Sequence, residues 1–260
     1  MKKVAFSTGA FYSLETADAL SRIRKAGFGH AELMPQCSED LSPVMLKKAN
    51  EIGIHISSIH YPLVFFGILY NANPGMFRQS KAFSDNLANF ARAAGTEFVV
   101  IHPEEEYKAK FKEILGKPIN DNIRYLCDAL ADKGITVAME NYPTGVGQYP
   151  DTLDAYVDAL RISNMKVMVD TTEVIEGGGD PLEFISGLKE VPCHLHLSDY
   201  KDNVKHIPIG TGKVDWKAVT TLLKDRGFEG YWTLEPSYKY YLDDPDGQLK
   251  RDYDYLTALV

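Results

Sequence analysis

The chain has 260 residues, 45% hydrophobic and 25% charged, which excludes a disordered polymer and suits one large domain whose core needs no staples. With 28 basic and 36 acidic residues the net charge is −8, so the surface as a whole repels phosphate backbones and nucleic acid is not an expected partner. Three widely spaced cysteines, Cys37, Cys127 and Cys193, make neither a disulfide framework nor a CxxC metal knuckle, which suits a reducing cytoplasm.

Short apolar runs alternate with longer amphipathic ones. Met1-Lys2-Lys3 leads into Val4–Thr8, too short and too quickly polar for a secretory signal. From Glu15 a helical pattern follows, with Leu20, Ile23 and Ala26 on one face and Gly27 as its stop. His30–Met34 closes on Pro35, and Ser42 with Pro43 opens a helix that ends at Gly53. Ile54–His60 precedes the apolar loop Tyr61–Tyr70, which Pro62 and Gly67 interrupt. No stretch of the chain approaches a membrane span. Asn71–Gly75 reads as a hinge for that loop, and a helix covers Arg78–Ala94. Glu97–His102 closes on Pro103, Glu104–Glu106 reads as a solvated helix start, and a helix covers Asn120–Lys133. Ile135–Glu140, a helix over Thr152–Leu160, and Lys166–Asp170 follow, then the tight turn Gly177–Gly179 and a short helix. Cys193–Ser198, a helix over Asp215–Arg226, Gly230–Glu235 and a last helix from Gln248 complete the chain.

Eight strands alternating with eight helices predict a parallel sheet, and this length matches a single (β/α)8 TIM barrel of the α/β class spanning residues 1–260. An open doubly wound sheet is the competitor, but its GxGxxG is missing from the first turn, Ser7–Phe11. Active sites of such barrels lie at the C-terminal strand ends. Here those ends carry Glu32, His60, His102, Glu140, Asp170, the pair His194/His196, and Glu235. Buried carboxylates and imidazoles are costly unless paired or bound to metal. A shell of His and carboxylate without thiolate suits Mn, Zn, Co or Mg.

The motifs Met139-Glu140-Asn141, Val169–Thr172, His194–Asp199, His206–Gly212 with Asp215-Trp216, and Leu234-Glu235-Pro236 resemble the xylose isomerase-like barrel superfamily, specifically its sugar phosphate isomerase/epimerase branch. The resemblance covers Val4 to Glu235. It implies one divalent metal held by Glu140, Asp170, His196 and Glu235, with Glu140 and Glu235 as acid/base residues on opposite faces of a small sugar. Proton transfer would pass through a metal-bound enediolate, giving isomerisation or epimerisation. His194 and His196 face the same side of a strand; the H-x-x-D pattern selects His196 and leaves His194 deeper in the barrel. The resemblance implies a substrate-facing role for His206, which on position alone reads equally as an exposed loop histidine. Two positions depart from the epimerase pattern: Glu173 replaces a His and Asp202 an Arg, so the sugar is held in another manner.

Two other readings compete. A dehydratase of a keto-inositol or dehydroshikimate-like substrate shares the metal and the first proton abstraction. An apurinic endonuclease resembling endonuclease IV would use His60 and His102 as further ligands, but Glu173 and Val204 leave its third zinc site incomplete. His60 and His102 otherwise hold a second metal or touch sugar hydroxyls. The loop Tyr61–Tyr70 is read either as a lid walling the pocket with Tyr61, Phe65 and Phe66, or as a contact within a homo-oligomer.

Overall fold

The computed structural model describes residues 2–103 and 109–260, with the side chains of 109–113 set aside. Glu104–Glu106 lies outside the described residues. Strands β1 (Val4–Ser7), β2 (His30–Leu33), β3 (His55–His60), β4 (Phe98–Ile101) and β5 (Thr136–Met139) pair in parallel, each with the next. They are followed by β6 (Met165–Val167) and β7 (Val169–Asp170), two halves of one strand interrupted at Met168. Strand β8 (Leu195–Leu197), the antiparallel hairpin β9 (Asp199–Lys201) and β10 (Val204–Ile207), and β11 (Trp232–Leu234) complete the set. The sheet order is β6-β5-β4-β3-β2-β1-β11-β8-β7, so its two edges are the two halves of the interrupted strand and the sheet closes on itself. This is a single (β/α) barrel.

The helices are α1 (Thr16–Ala26), α2 (Pro43–Ile52), α3 (Phe66–Leu69), α4 (Pro74–Ala94), α5 (Ala109–Ala131), α6 (Pro150–Leu160), α7 (Thr171–Glu176), α8 (Pro181–Gly187), α9 (Trp216–Asp225) and α10 (Pro245–Leu259). In α1 the buried Ala19, Leu20, Ile23 and Ala26 recur at helical spacing. They join one core with strand residues such as Phe6, Leu33, Val99, Ile101, Val137, Met139, Leu195 and Leu197. The intervening strand residues belong to the lumen: Val100, Ala138 and Met168 form a separate small cluster there. Alternation of side chains along each strand therefore places Glu32, Ser58, His60, Asp170, His194, His196 and Thr233, all buried, on the inner face.

Several boundaries differ from expectation. Asn73 caps α4 by accepting from the Gly75 amide at 2.7 Å, and Pro74 takes the first helical position, so the segment read as a hinge is a helix start. Helix α5 begins at Ala109, ahead of the expected Asn120, and continues through Pro118. Helix α7 and the β9–β10 hairpin are additional elements, and both shape the rim. The three cysteines are free. Among the described residues, no helix is long and apolar enough to cross a membrane.

Candidate metal centre and active site

The ends of β5, β7, β8 and β11 bring Glu140, Asp170, His196 and Glu235 together, each offering one donor atom within 4.8 Å of the others. His196 Nδ1 lies 2.9 Å from Glu140 Oε1 and 2.9 Å from Glu235 Oε2. Donors about 2.1 Å from one ion in octahedral array stand about 3 Å apart, so this spacing fits a coordination shell as well as it fits the hydrogen bond between Nδ1 and Glu140. On the other side of Glu140, its Oε2 lies 2.9 Å from His102 Nε2 and 3.6 Å from His60 Nε2. The two histidines meet Nε2 to Nε2 at 3.2 Å, and His60 Nδ1 donates to the Tyr61 carbonyl at 2.8 Å.

Asp170 shows most directly that the cluster suits a cation. It is the N-cap of α7: its Oδ1 accepts from the Thr172 amide at 2.7 Å, the Glu173 amide at 2.9 Å and the Thr172 hydroxyl at 2.9 Å. Its Oδ2 is buried without a hydrogen-bond partner. Burial, then the neighbouring Glu140 and Glu173 carboxylates, push Asp170 up to about 7 against the pull of His206 and His196. For His196, burial opposes the charged form, yet Glu235, Glu32 and Glu140 hold it well above its usual value. An orphaned carboxylate oxygen among crowded carboxylates and an imidazole, with only N and O donors, fits a divalent cation. Asn141 fixes the backbone here, accepting from the Asp170 amide at 2.6 Å and donating to the Asp170 carbonyl at 3.1 Å.

The hairpin carries His206 into the site. His206 has φ 52°, a left-handed conformation costly for a residue with a Cβ and often kept at functional positions. Its Nε2 pairs with Glu173 Oε1 at 3.0 Å, and its Nδ1 lies 3.1 Å from both the Thr172 and Ser198 hydroxyls. Burial works against its charge, but Glu173, Asp170 and Glu235 hold it up to about 9. Lys205 reaches past it to Glu173 at 3.4 Å and to Glu176. The segment after the hairpin is knotted on buried Asp199. Asp199 Oδ1 accepts from Tyr200 N (2.9 Å) and Val214 N (3.1 Å), and its Oδ2 from Gly210 N (3.0 Å) and Trp216 Nε1 (2.9 Å). A Cβ on Gly212 would stand 2.1 Å from Asp199 Oδ1, so only glycine fits there.

Above the cluster a cavity of 270 Å³ is lined by His60, His102, Glu140, Asp170, Glu173, His206 and Glu235, with Met34, Leu63, Pro236 and Tyr238 on its apolar side. Of the Tyr61–Tyr70 segment, Leu63 meets this cavity. Tyr61 does not wall it: the ring is fully buried, stacked on Phe66 at 5.7 Å and edge-on to Phe83 at 5.4 Å. Phe65 packs on Phe83, and Phe66 backs His102 at 5.1 Å and His60 at 6.3 Å from behind. Phe66 thus braces the two histidines, while Tyr61 and Phe65 pack toward Phe83. Glu32 also sits apart from the rim, one layer down with His194, and both are fully buried. Sequence reasoning assigned no role to Asn141 or Ser58; each shows its part only through partners on other strands.

A family model described as xylose isomerase-like TIM barrel matches residues 20–259. The chain belongs to that family. Over 250 residues it is 28% identical to an uncharacterized protein of Methanocaldococcus jannaschii, covering 90% of this chain and 83% of that one. Over 247 residues it is 22% identical to an inosose dehydratase of Clostridium perfringens, covering 83% of this chain and 80% of that one. Among solved structures, a D-psicose 3-epimerase from Clostridium cellulolyticum with D-tagatose superposes with a TM-score of 0.78 at 16% identity, covering 99% of each chain. A probable 3-DHS dehydratase from Bacillus anthracis superposes with a TM-score of 0.77 at 17% identity, again over 99% of each chain. At these identities the structural likeness is one of fold.

Proposed function

We propose that this chain is a divalent-metal-dependent isomerase or epimerase of a small sugar or sugar derivative. One observation carries the reading: two glutamates from different strands flank His196 Nδ1 at 2.9 Å, and each keeps a second oxygen directed elsewhere. For Glu140 that oxygen faces His102 at 2.9 Å; for Glu235 it faces the Ser7 hydroxyl at 3.4 Å. A divalent cation held by Glu140, Asp170, His196 and Glu235 supplies Lewis-acid polarisation of the substrate carbonyl, which acidifies the adjacent C–H. One glutamate takes that proton, and a glutamate returns a proton to carbon. Return to the neighbouring carbon is isomerisation; return to the opposite face of the same carbon is epimerisation. His60 and His102 orient the outer oxygen of Glu140. Glu173 and His206 contact substrate hydroxyls, and Leu63, Met34 and Tyr238 keep water from the mouth of the cavity.

A second reading, dehydration, is supported by the curated relatives named inosose dehydratase. His206, held up to about 9, lines the same cavity and would supply a proton to a departing β-hydroxyl by giving up one of its present hydrogen bonds. One experiment separates the readings: metal analysis of the purified chain, then incubation with ketoses and inososes in D2O with Mn²⁺ or Co²⁺. Deuterium at a carbon next to the carbonyl in a product of unchanged formula supports isomerisation or epimerisation. Loss of water from the product supports dehydration. Two or three zinc ions per chain direct attention to abasic DNA. A chain that takes up no metal refutes the proposal.

A further inference from the structure

We propose that Glu32 is a positioning residue for the metal centre, acting through His196 from beneath the rim; the inference rests on the metal-dependent reading above. Glu32 comes from β2, far from the metal-ligating strands in sequence, and is fully buried. Its Oε1 lies 2.9 Å from His196 Nε2, a close charge contact out of line for a hydrogen bond, while its Oε2 accepts from the Ser58 hydroxyl at 2.9 Å and pairs with His194 Nε2 at 3.0 Å. Burial would push its carboxyl up, yet His196 and His194 together hold it well below the usual carboxylate range.

A carboxylate sealed in a barrel lumen carries a desolvation cost that an apolar side chain of like volume avoids. What Glu32 does for that cost is visible in the two nitrogens of His196. Once a cation takes the place of the Nδ1 proton, the remaining ring proton would sit on Nε2, on the Glu32 side, and the lone pair on Nδ1. Nδ1 is the atom 2.9 Å from both Glu140 Oε1 and Glu235 Oε2. A carboxylate this close to Nε2 favours a proton on that nitrogen and raises the basicity of the liganding one. Ser58 and His194 in turn hold Glu32. His194, which the strand pattern leaves below the rim, takes its place as part of this support rather than as a ligand. Thr233 adds a contact to His194 Nε2 at 3.4 Å.

The test is Co²⁺ binding to the full chain after chelation, read by calorimetry and by the visible spectrum of the bound ion. Glu32→Gln keeps the volume and removes the charge; Ser58→Ala removes one support and touches no ligand. The expected result is a single Co²⁺ in the wild type, roughly 10- to 100-fold weaker binding with an altered spectrum in Glu32→Gln, and a smaller loss in Ser58→Ala. Wild-type affinity and spectrum in folded Glu32→Gln, even with a lower Tm, overturn the proposal and make Glu32 part of the barrel packing alone. Should Glu32→Gln fail to fold, unchanged affinity in Ser58→Ala overturns it equally. Wild-type protein that binds no Co²⁺ refutes the metal-dependent function itself, and this inference with it.

Discussion

Replacing Asp199 by Asn tests how the His206 hairpin is held. The carboxylate accepts four hydrogen bonds, two on each oxygen, and its residue is only 1% exposed. An asparagine in either orientation keeps one accepting oxygen and turns an amide nitrogen toward two N–H donors. Hydrogen bonds to a charged acceptor contribute about 1.5–3 kcal/mol each, so losing two costs about 3–6 kcal/mol. Part of that is recovered by local opening of the segment between β9 and α9 rather than by unfolding the barrel. Asp199→Asn is therefore expected to lower the urea midpoint and, before global unfolding, to speed tryptic cleavage at Lys201, Lys205 and Lys213. A stability loss under about 1 kcal/mol with unchanged cleavage would refute the tether.

Glu140→Gln and Glu235→Gln should each fold with a Tm near wild type and lose roughly 10²–10⁴-fold in kcat on the substrate found by the ketose and inosose screen; full turnover in either removes that residue from acid/base chemistry. Removing the metal should lower Tm, and restoring it at about 100 times its Kd should return about 2.7 kcal/mol; identical melting with and without metal counts against the site. Asp252, on α10, is pushed up to about 6 by burial, with Tyr241 and Gln248 donating to it. A raised carboxyl pKa means its stabilising contribution is full below the unfolded value of 3.8 and is lost as pH rises through 6. By pH 8 that shift costs up to about 3 kcal/mol, so Asp252→Asn should gain stability over wild type at pH 8 and none at pH 4. A difference between the two proteins that does not vary with pH refutes this reading.

The barrel was legible because its strands and helices announce themselves locally. Gly27, Gly53, Gly95 and Gly227 stop helices where periodicity runs out, and Ser42-Pro43 starts one. The rim was legible because period-two alternation and barrel topology together place strand-end residues such as Glu140 and Asp170 at one mouth. The hairpin and α7 were not, since strands of three and four residues and a six-residue helix carry too little pattern to separate from loop. Their positions come from long-range bonds: Asp170 capping α7, and Asp199 gathering amides up to 15 residues away. The aromatic loop misled for a related reason. Composition tells that Tyr61, Phe65 and Phe66 must be covered, but not on which side. Packing against Phe83 of α4 decided it, turning Tyr61 and Phe65 away from the cavity and leaving Leu63 to face it. Glu32 makes the same point at the metal centre. Sequence alone determined that β2 carries a carboxylate. Only closure of the sheet, which brings β2 within 2.9 Å of a histidine on β8, decided that this carboxylate lies beneath His196 rather than beside the substrate.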